Sequence, residues 1–142
     1  MSELLDEIAA VMKRESCGHF LSDEGASQII DRIADIFVED RDARWWWASL
    51  KVPVETLGYG SDDHSLHLRR LLAPRNGPYY LVITDDGLAP WPIVLADLDG
   101  VITVLQETWF FEYFLCDASC QWVIFDNHHN CLISAWAVPR VG

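Results

Sequence analysis

Residues 121–137, with the sequence QWVIFDNHHNCLISAWA, contain two apolar runs, Gln121–Asp126 and Cys131–Ala137, on either side of the polar segment NHHN at 127–130. Runs rich in Val, Ile and aromatic residues are typical of strands, and Asn and Asp favour the turn between them. The pattern therefore predicts a β-hairpin with antiparallel strands. It places the C-terminal part of the chain in a sheet.

Further strands are predicted upstream of this hairpin, from residue 79 onward. Asp99-Gly100 lies between two apolar runs and is a strong signal for a two-residue hairpin turn. The predicted strands are Tyr79–Thr84, Ile93–Leu98, Val101–Leu105 and Trp109–Cys116. Another run, Leu50–Glu55, alternates in polarity, and its Pro53 favours the edge of a sheet.

The first 40 residues predict two helices. Apolar residues recur at helical spacing from Leu4 to Met12 and again from Ala26 to Phe37. Ser22 is a suitable N-cap for the second helix, which we predict near residues 23–39. A shorter helix is predicted between Asp62 and Leu72.

Helices followed by strands indicate an α+β fold. We expect two or three N-terminal helices packed on one face of a mostly antiparallel sheet of five to six strands. A chain of 142 residues fits one domain. We therefore expect a single domain over 1–142, helical in 1–40, mixed in 41–78 and β-rich in 79–142.

The charge of the chain restricts its partners. It has 22 Asp and Glu residues against 10 Lys and Arg, for a formal net charge of −12, although 51% of its residues are hydrophobic. Such apolar content indicates a packed domain rather than a disordered acidic chain. A strongly negative surface repels phosphate backbones and anionic membranes and attracts basic proteins. We therefore expect neither a nucleic acid nor a membrane as partner.

The N-terminal residues lack the basic leader and the continuous apolar run of a signal peptide. The apolar stretches of the chain are too short to cross a bilayer. These features favour the cytoplasm. In that compartment we expect the four cysteines to be free thiols. They are Cys17, Cys116, Cys120 and Cys131.

The order of elements in one C-terminal segment is similar to that of a known family. The segment is FFEYFLCDASCQWVIFDNHHNCLISAW. An aromatic-Glu-Tyr strand, an Asp turn, a Trp-bearing strand, Asn-His-His and a final strand follow one another within residues 109–136. This order resembles small bacterial immunity-type proteins, among them the SUKH superfamily. Members of that superfamily are α+β proteins that neutralise toxins of polymorphic toxin systems. The resemblance implies a small acidic cytoplasmic protein that blocks another protein.

Acidic turns and aromatic residues are the candidates for contact with a basic partner. Trp45-Trp46-Trp47 cannot direct three adjacent rings into one core. The triplet therefore supplies either two buried rings and one packed on a loop, or an exposed aromatic anchor. Acidic residues are ordinary in turns, but on one face they would form a docking surface. The candidate partner-binding residues are Asp40, Asp42, Trp46, Asp62, Asp63, Asp85, Asp86, His128 and His129.

A metal site is the alternative use of the hairpin at 126–131. His128, His129 and the nearby cysteines are ligand types that zinc accepts, and Asp126 could orient a ring. However, neighbouring strand residues point to opposite faces, and Cys116-x3-Cys120 departs from the usual spacing of zinc pairs. We therefore expect no metal and no other cofactor.

No catalytic signature such as a G-x-S-x-G elbow or a P-loop occurs in the sequence. We expect a non-enzymatic, immunity- or antitoxin-like protein, monomeric or homodimeric, that binds a cognate basic toxin domain and occludes its active site. The alternatives are a metal-dependent enzyme or small-ligand binder built on the 126–131 hairpin, and a homo-oligomeric structural module that associates through the Pro53 edge or through exposed aromatic residues.

Overall fold

The computed structural model describes residues 3–60, 64–72, 77–85, 87–127 and 130–137. These residues form an α+β fold. The helices are α1 (Glu3–Glu15), α2 (Asp23–Phe37), α3 (His64–Leu72) and α4 (Leu98–Glu107), and a 3₁₀ turn spans Trp46–Ala48. The strands are β1 (His19–Phe20), β2 (Val54–Gly58), β3 (Tyr79–Ile83), β4 (Ile93–Ala96), β5 (Tyr113–Cys116), β6 (Trp122–Asp126) and β7 (Cys131–Trp136).

The seven strands of the described residues form one sheet in the order β1-β4-β3-β5-β6-β7-β2. Every neighbouring pair is antiparallel. The predicted C-terminal hairpin is confirmed, since β6 pairs with β7 and places Asp126 opposite Leu132. A row of paired residues, Ile83, Tyr113 and Asp126, crosses β3, β5 and β6 at one end of the sheet.

Helices cover both faces of the sheet, not one face as the order of elements suggested. One apolar core lies between the sheet and α1, α3 and α4, and a second lies between the opposite face and α2 with the 3₁₀ turn. The reason is visible in β5 and β6, where every residue is buried. Such continuous apolar runs need cover on both sides, whereas a sheet with one wet face alternates apolar and polar residues.

The predicted strand Val101–Leu105 is wrong, because this segment lies within α4. The side chain of Asp97 accepts a hydrogen bond from the Gly100 amide at 2.7 Å and so caps the helix. Asp99-Gly100 therefore belongs to a first helical turn, not to a hairpin. A short apolar run between turn residues fits a buried helix as well as a strand.

Most other predicted elements are confirmed, with shifted ends, but the described residues form four helices and seven strands rather than two or three helices and five to six strands. Both N-terminal helices are present, and the Ser22 hydroxyl accepts from the Gly25 amide at 3.1 Å as the N-cap of α2. The predicted strand at Leu50–Glu55 forms later, as β2, and it does lie at an edge of the sheet. The two-residue strand β1, at the other edge, is too short to give a sequence pattern.

None of the described helices has the length and apolar character that crossing a bilayer requires.

Candidate binding cleft

A cleft of about 380 Å³ opens at the end of the sheet where β3, β5 and β6 meet. The antiparallel pairing brings the last residue of β3, the first of β5 and the last of β6 into one row. The loops that follow β3 and precede β5 form the rim, with Asp85 and Glu112. The tryptophan segment at 45–47 forms a wall.

Trp46 anchors that wall in the core. The residue is 6% exposed, and its indole N–H donates to the carbonyl of Arg41 at 3.0 Å. It meets Trp91 edge-on, with 4.8 Å between ring centroids, and stacks on Phe114 at 6.1 Å. Such aromatic pairs add to the stability that burial alone provides. Trp46 therefore holds the 3₁₀ turn against the sheet.

The rings of Trp45 and Trp47 stack on each other. Their ring centroids are 5.6 Å apart with 20° between the planes. Trp45 is 37% exposed and Trp47 is half-buried. The guanidinium of Arg44 lies 4.9 Å from the centroid of the Trp45 ring. The exposed ring of the triplet is thus Trp45, and the predicted contact residue Trp46 is buried.

Carboxylates dominate the charge of the cleft. Among the residues that the structure describes, Asp85, Glu112 and Asp126 line it together with Arg44, for a formal charge of −2. Asp85 and Glu112 are half-buried. Asp85 Oδ1 accepts from the Gly87 amide at 2.9 Å, which fixes this carboxylate within its turn.

Asp126 forms the centre of a buried polar network. It is 1% exposed, and its two oxygens accept the hydroxyls of Tyr59 at 2.7 Å and Tyr113 at 2.9 Å. Burial raises the pKa of both tyrosine hydroxyls above the ordinary value of tyrosine, and the neighbouring carboxylate of Asp126 raises it further. Two phenolic donors compensate a buried acceptor that would otherwise be costly. The carboxylate therefore lies fixed at the cleft.

The nine predicted contact residues have different outcomes. Asp62, Asp63, Asp86, His128 and His129 lie outside the described residues. The structure brings Trp46 and Asp85 together in the cleft. Asp42 lines a second cavity, of about 560 Å³, which shares Trp46 with the cleft. The carboxylate of Asp40 accepts from the Asp42 amide at 3.0 Å within the loop before the 3₁₀ turn.

Several residues of this region were missed by the sequence analysis. Glu112 and Trp91 line the cleft, and Trp109 and Phe110 directly precede its Phe111. Trp109 is 81% exposed and Phe110 is 54% exposed. The run WFFEYF was predicted as part of a strand, but β5 takes up only its last two residues.

The alternative prediction was a metal site. In the part of the chain that the structure describes, no group of three or more His, Cys, Asp or Glu residues could hold a metal ion. All four cysteines are free thiols, as expected. Burial raises the pKa of the Cys116 thiol well above its ordinary value, with the nearby Cys120 as a smaller cause.

The comparisons with known proteins give a family without a function. A model of a family of unknown function, DUF6756, matches residues 2–140, so the chain belongs to this family. No curated protein and no solved structure matches the chain. The family match provides no link to the SUKH superfamily.

Proposed function

We propose that this protein is an immunity-type protein that binds a basic toxin domain and neutralises it by covering its active face. The observation that carries the proposal is the acidic, tryptophan-walled cleft at one end of the sheet. In this proposal the protein acts in the cytoplasm, and it makes and breaks no bond.

The charge of the whole chain supports a basic partner. A formal net charge of −12 on 142 residues produces a long-range attraction for cationic proteins. Complementary charge accelerates encounter and selects among partners, whereas it contributes less to the final affinity. The overall charge therefore accounts for the choice of partner. Most of the affinity must come from a local site.

The aromatic residues near the cleft supply such a local site. Trp45, Trp109 and Phe110 are large apolar side chains that the fold leaves exposed. Trp is enriched among the residues that contribute most to protein interfaces. Exposed rings next to half-buried carboxylates give a surface whose apolar part binds and whose charged part selects.

The proposal is tested on the gene beside the one for this chain. We expect that gene to encode a large secreted protein with a basic C-terminal domain that stops growth when expressed. Coexpression of this chain should restore growth, and the two purified proteins should form a stable complex. A neighbouring gene without a basic toxic domain, or a toxin that the chain neither binds nor inhibits, would contradict the proposal.

A charge-reversal pair locates the contact. Asp85→Lys with Glu112→Lys reverses the rim of the cleft and should abolish the rescue of growth. The matched control is Asp99→Lys with Glu15→Lys, which changes the net charge equally. Both control residues lie away from the cleft. Asp99 follows β4 at the opposite end of the sheet. Glu15 is the last residue of α1, whereas Leu4, near the start of that helix, lines the cleft. The control pair should still rescue growth, and circular dichroism should show that both pairs are folded.

A further inference from the structure

We propose that the open edge of β2 pairs with β2 of a second copy of this chain, antiparallel about a twofold axis at Thr56. The partner of this edge is an identical strand, and the product is a homodimer. Self-association at this edge is independent of the proposed binding of a toxin.

β2 is an edge strand that is open to solvent. It is the last strand in the order of the sheet, and all five of its residues are exposed. Val54 and Leu57 are large apolar side chains that are 44% and 38% exposed. A Cβ atom at Gly58 would meet nothing within 4 Å. The uncovered edge of a strand is a ready template for pairing with another chain.

The hydrogen bonds between β2 and β7 show which backbone groups lie at the open edge. The amide of Tyr59 donates to the carbonyl of Asn130 at 3.0 Å, in register with the pairs of β2 and β7. In antiparallel pairing, residues whose N–H and C=O groups face the neighbouring strand alternate with residues whose groups point away. The N–H and C=O groups of Val54, Thr56 and Gly58 therefore point away from β7, toward the open edge.

One twofold register uses all three of these residues. With the axis at Thr56, this residue lies opposite its own copy, and Val54 lies opposite Gly58 of the second copy. Each such pair exchanges two hydrogen bonds, which gives about six for the two strands. An axis at Glu55 or at Leu57 would leave Gly58 or Val54 without an opposite residue in the other strand.

The side chains of β2 also suit an identical strand. With the axis at Thr56, Glu55 lies opposite Leu57 of the second copy, so the two carboxylates do not face each other. Threonine opposite threonine is a favourable cross-strand pair, whereas like charges directly opposite are destabilising. A cationic segment would find only one acidic side chain on β2. The sequence of the strand therefore matches its own copy better than it matches a basic strand.

The dimer should be weak and should be strengthened by salt. Pairing of two five-residue strands gives a small interface, and small interfaces form transient complexes. Each copy carries a formal net charge of −12, so the two copies repel each other at low ionic strength. Salt screens this repulsion. Binding of a basic toxin should have the opposite salt dependence, because there the charges attract.

The first test is sedimentation velocity of the full chain at concentrations up to about 1 mM, at low and at high salt. We expect a monomer–dimer equilibrium that shifts toward the dimer as salt increases. Thr56→Pro removes an N–H at the open edge without removing a bond to β7, and it should weaken the dimer at least about tenfold. Thr56→Val keeps the N–H and is the matched control, which should dimerise like the unchanged chain. Circular dichroism checks that both variants are folded.

The second test is a cross-link that reports the register. Residues opposite each other in a hydrogen-bonded pair have Cα atoms about 5.5 Å apart, within the range of a disulfide. Thr56→Cys should therefore form a covalent dimer in a buffer of oxidised and reduced glutathione. The matched control is Val54→Cys on the same strand, whose copies would lie four residues apart along it, about 13 Å. It should cross-link no faster than the unchanged chain.

The results that would overturn the inference differ from those that would overturn the proposed function. A chain that stays monomeric up to about 1 mM, equal dimerisation of Thr56→Pro and Thr56→Val, or equal cross-linking of the two cysteine variants would exclude pairing of β2 with its copy. Loss of toxin binding in Thr56→Pro without any self-association of the unchanged chain would assign the edge to the toxin instead. If the chain dimerises as expected but binds no basic toxin, the dimer stands and the immunity function falls.

Discussion

Asp126 connects distant parts of the chain at the cleft end of the sheet. Its two oxygens take the hydroxyls of Tyr59 and Tyr113, which come from 67 residues upstream and 13 residues upstream. Removal of an acceptor from a buried pair of donors leaves a hydroxyl unsatisfied, which costs about 1–3 kcal/mol. The network therefore links the end of β6 to the segment after β2.

Asp126→Asn should lower the pKa of Tyr59 and Tyr113 toward the ordinary value and destabilise the fold by about 1–3 kcal/mol. The amide keeps one acceptor oxygen and replaces the other with an NH₂ group, which cannot accept a phenolic proton. Burial, the larger cause, remains, so both values stay above about 10. The phenolate absorbance between pH 9 and 12 measures the titration, and Tyr80→Phe is the control that should leave the late-titrating phenols unchanged. An unaltered curve in Asp126→Asn would contradict the network.

The same tyrosines give the fold a pH limit. Folding raises the pKa of these two phenols. Their contribution to the free energy of unfolding is therefore complete at pH values below the pKa of the unfolded state, about 10, and it decreases as the pH rises above that value. The free energy of unfolding should therefore be insensitive to these groups below about pH 9 and fall above about pH 10. Denaturation at a series of pH values measures it, and a flat profile up to pH 11 would exclude the effect.

Gly100→Ala should destabilise the protein by about 1–3 kcal/mol, although alanine normally favours a helix. A Cβ at this position would lie 2.3 Å from the carbonyl oxygen of Cys17, a backbone atom that cannot move aside cheaply. Gly58→Ala is the matched control, because a Cβ there meets nothing within 4 Å. Urea denaturation compares the two variants. A stable Gly100→Ala protein would show that α4 does not approach the α1–β1 connection so closely.

At the scale of elements, α4 is the segment whose identity the sequence left open. Its apolar residues fit a strand of a hairpin, and only the side chain of Asp97 on the Gly100 amide marks the start of a helix. Burial of Val101, Ile102, Val104 and Leu105 against α1, α3 and the sheet then fixes the helical form.

Asp97→Ala should cost about 1 kcal/mol of stability, the usual effect of losing an N-cap. Asp99→Ala, in the same turn, is the control. It removes only an exposed ion pair with Arg69, and such pairs contribute little. Thermal or urea unfolding distinguishes the variants. Equal stability of the two would contradict the capping role of Asp97.

How much of the fold could be predicted from the sequence depends on how far apart in the chain the interacting residues lie. Helices α1 and α2, the capping Ser22 and the β6–β7 hairpin depend on neighbours in sequence, and all were predictable. The cover on both faces, the row that joins β3, β5 and β6, and the meeting of Asp126 with Tyr59 depend on long-range pairing. Of the cleft, Trp46 and Asp85 were singled out by residue type, whereas Glu112 and Trp91 look ordinary until the fold brings them together.

For the whole molecule, the proposed function gives charge and cleft separable contributions to binding. The net charge of −12 would act over long distances and set the rate of encounter, whereas the cleft would act on contact and set the lifetime of the complex. Charge reversal at an acidic residue far from the cleft should therefore change the association rate slightly. Loss of a carboxylate at the rim of the cleft should change the dissociation rate.

The association rate with the basic toxin domain should fall at least about tenfold from low to high ionic strength, because salt screens the attraction between exposed charges. Stopped-flow tryptophan fluorescence measures this rate directly. A rate that stays constant with salt would contradict the role of the acidic surface in selecting the partner.

We propose that the end of the sheet with the tryptophan cleft is the face that meets a cationic protein. Amide hydrogen exchange, measured for the free chain and for its complex with the basic toxin domain, tests this most directly. We expect slower exchange on binding at residues 44–47, 84–85 and 109–112, with no change at residues 97–100 at the opposite end. Protection at 97–100 with none around the cleft would contradict it.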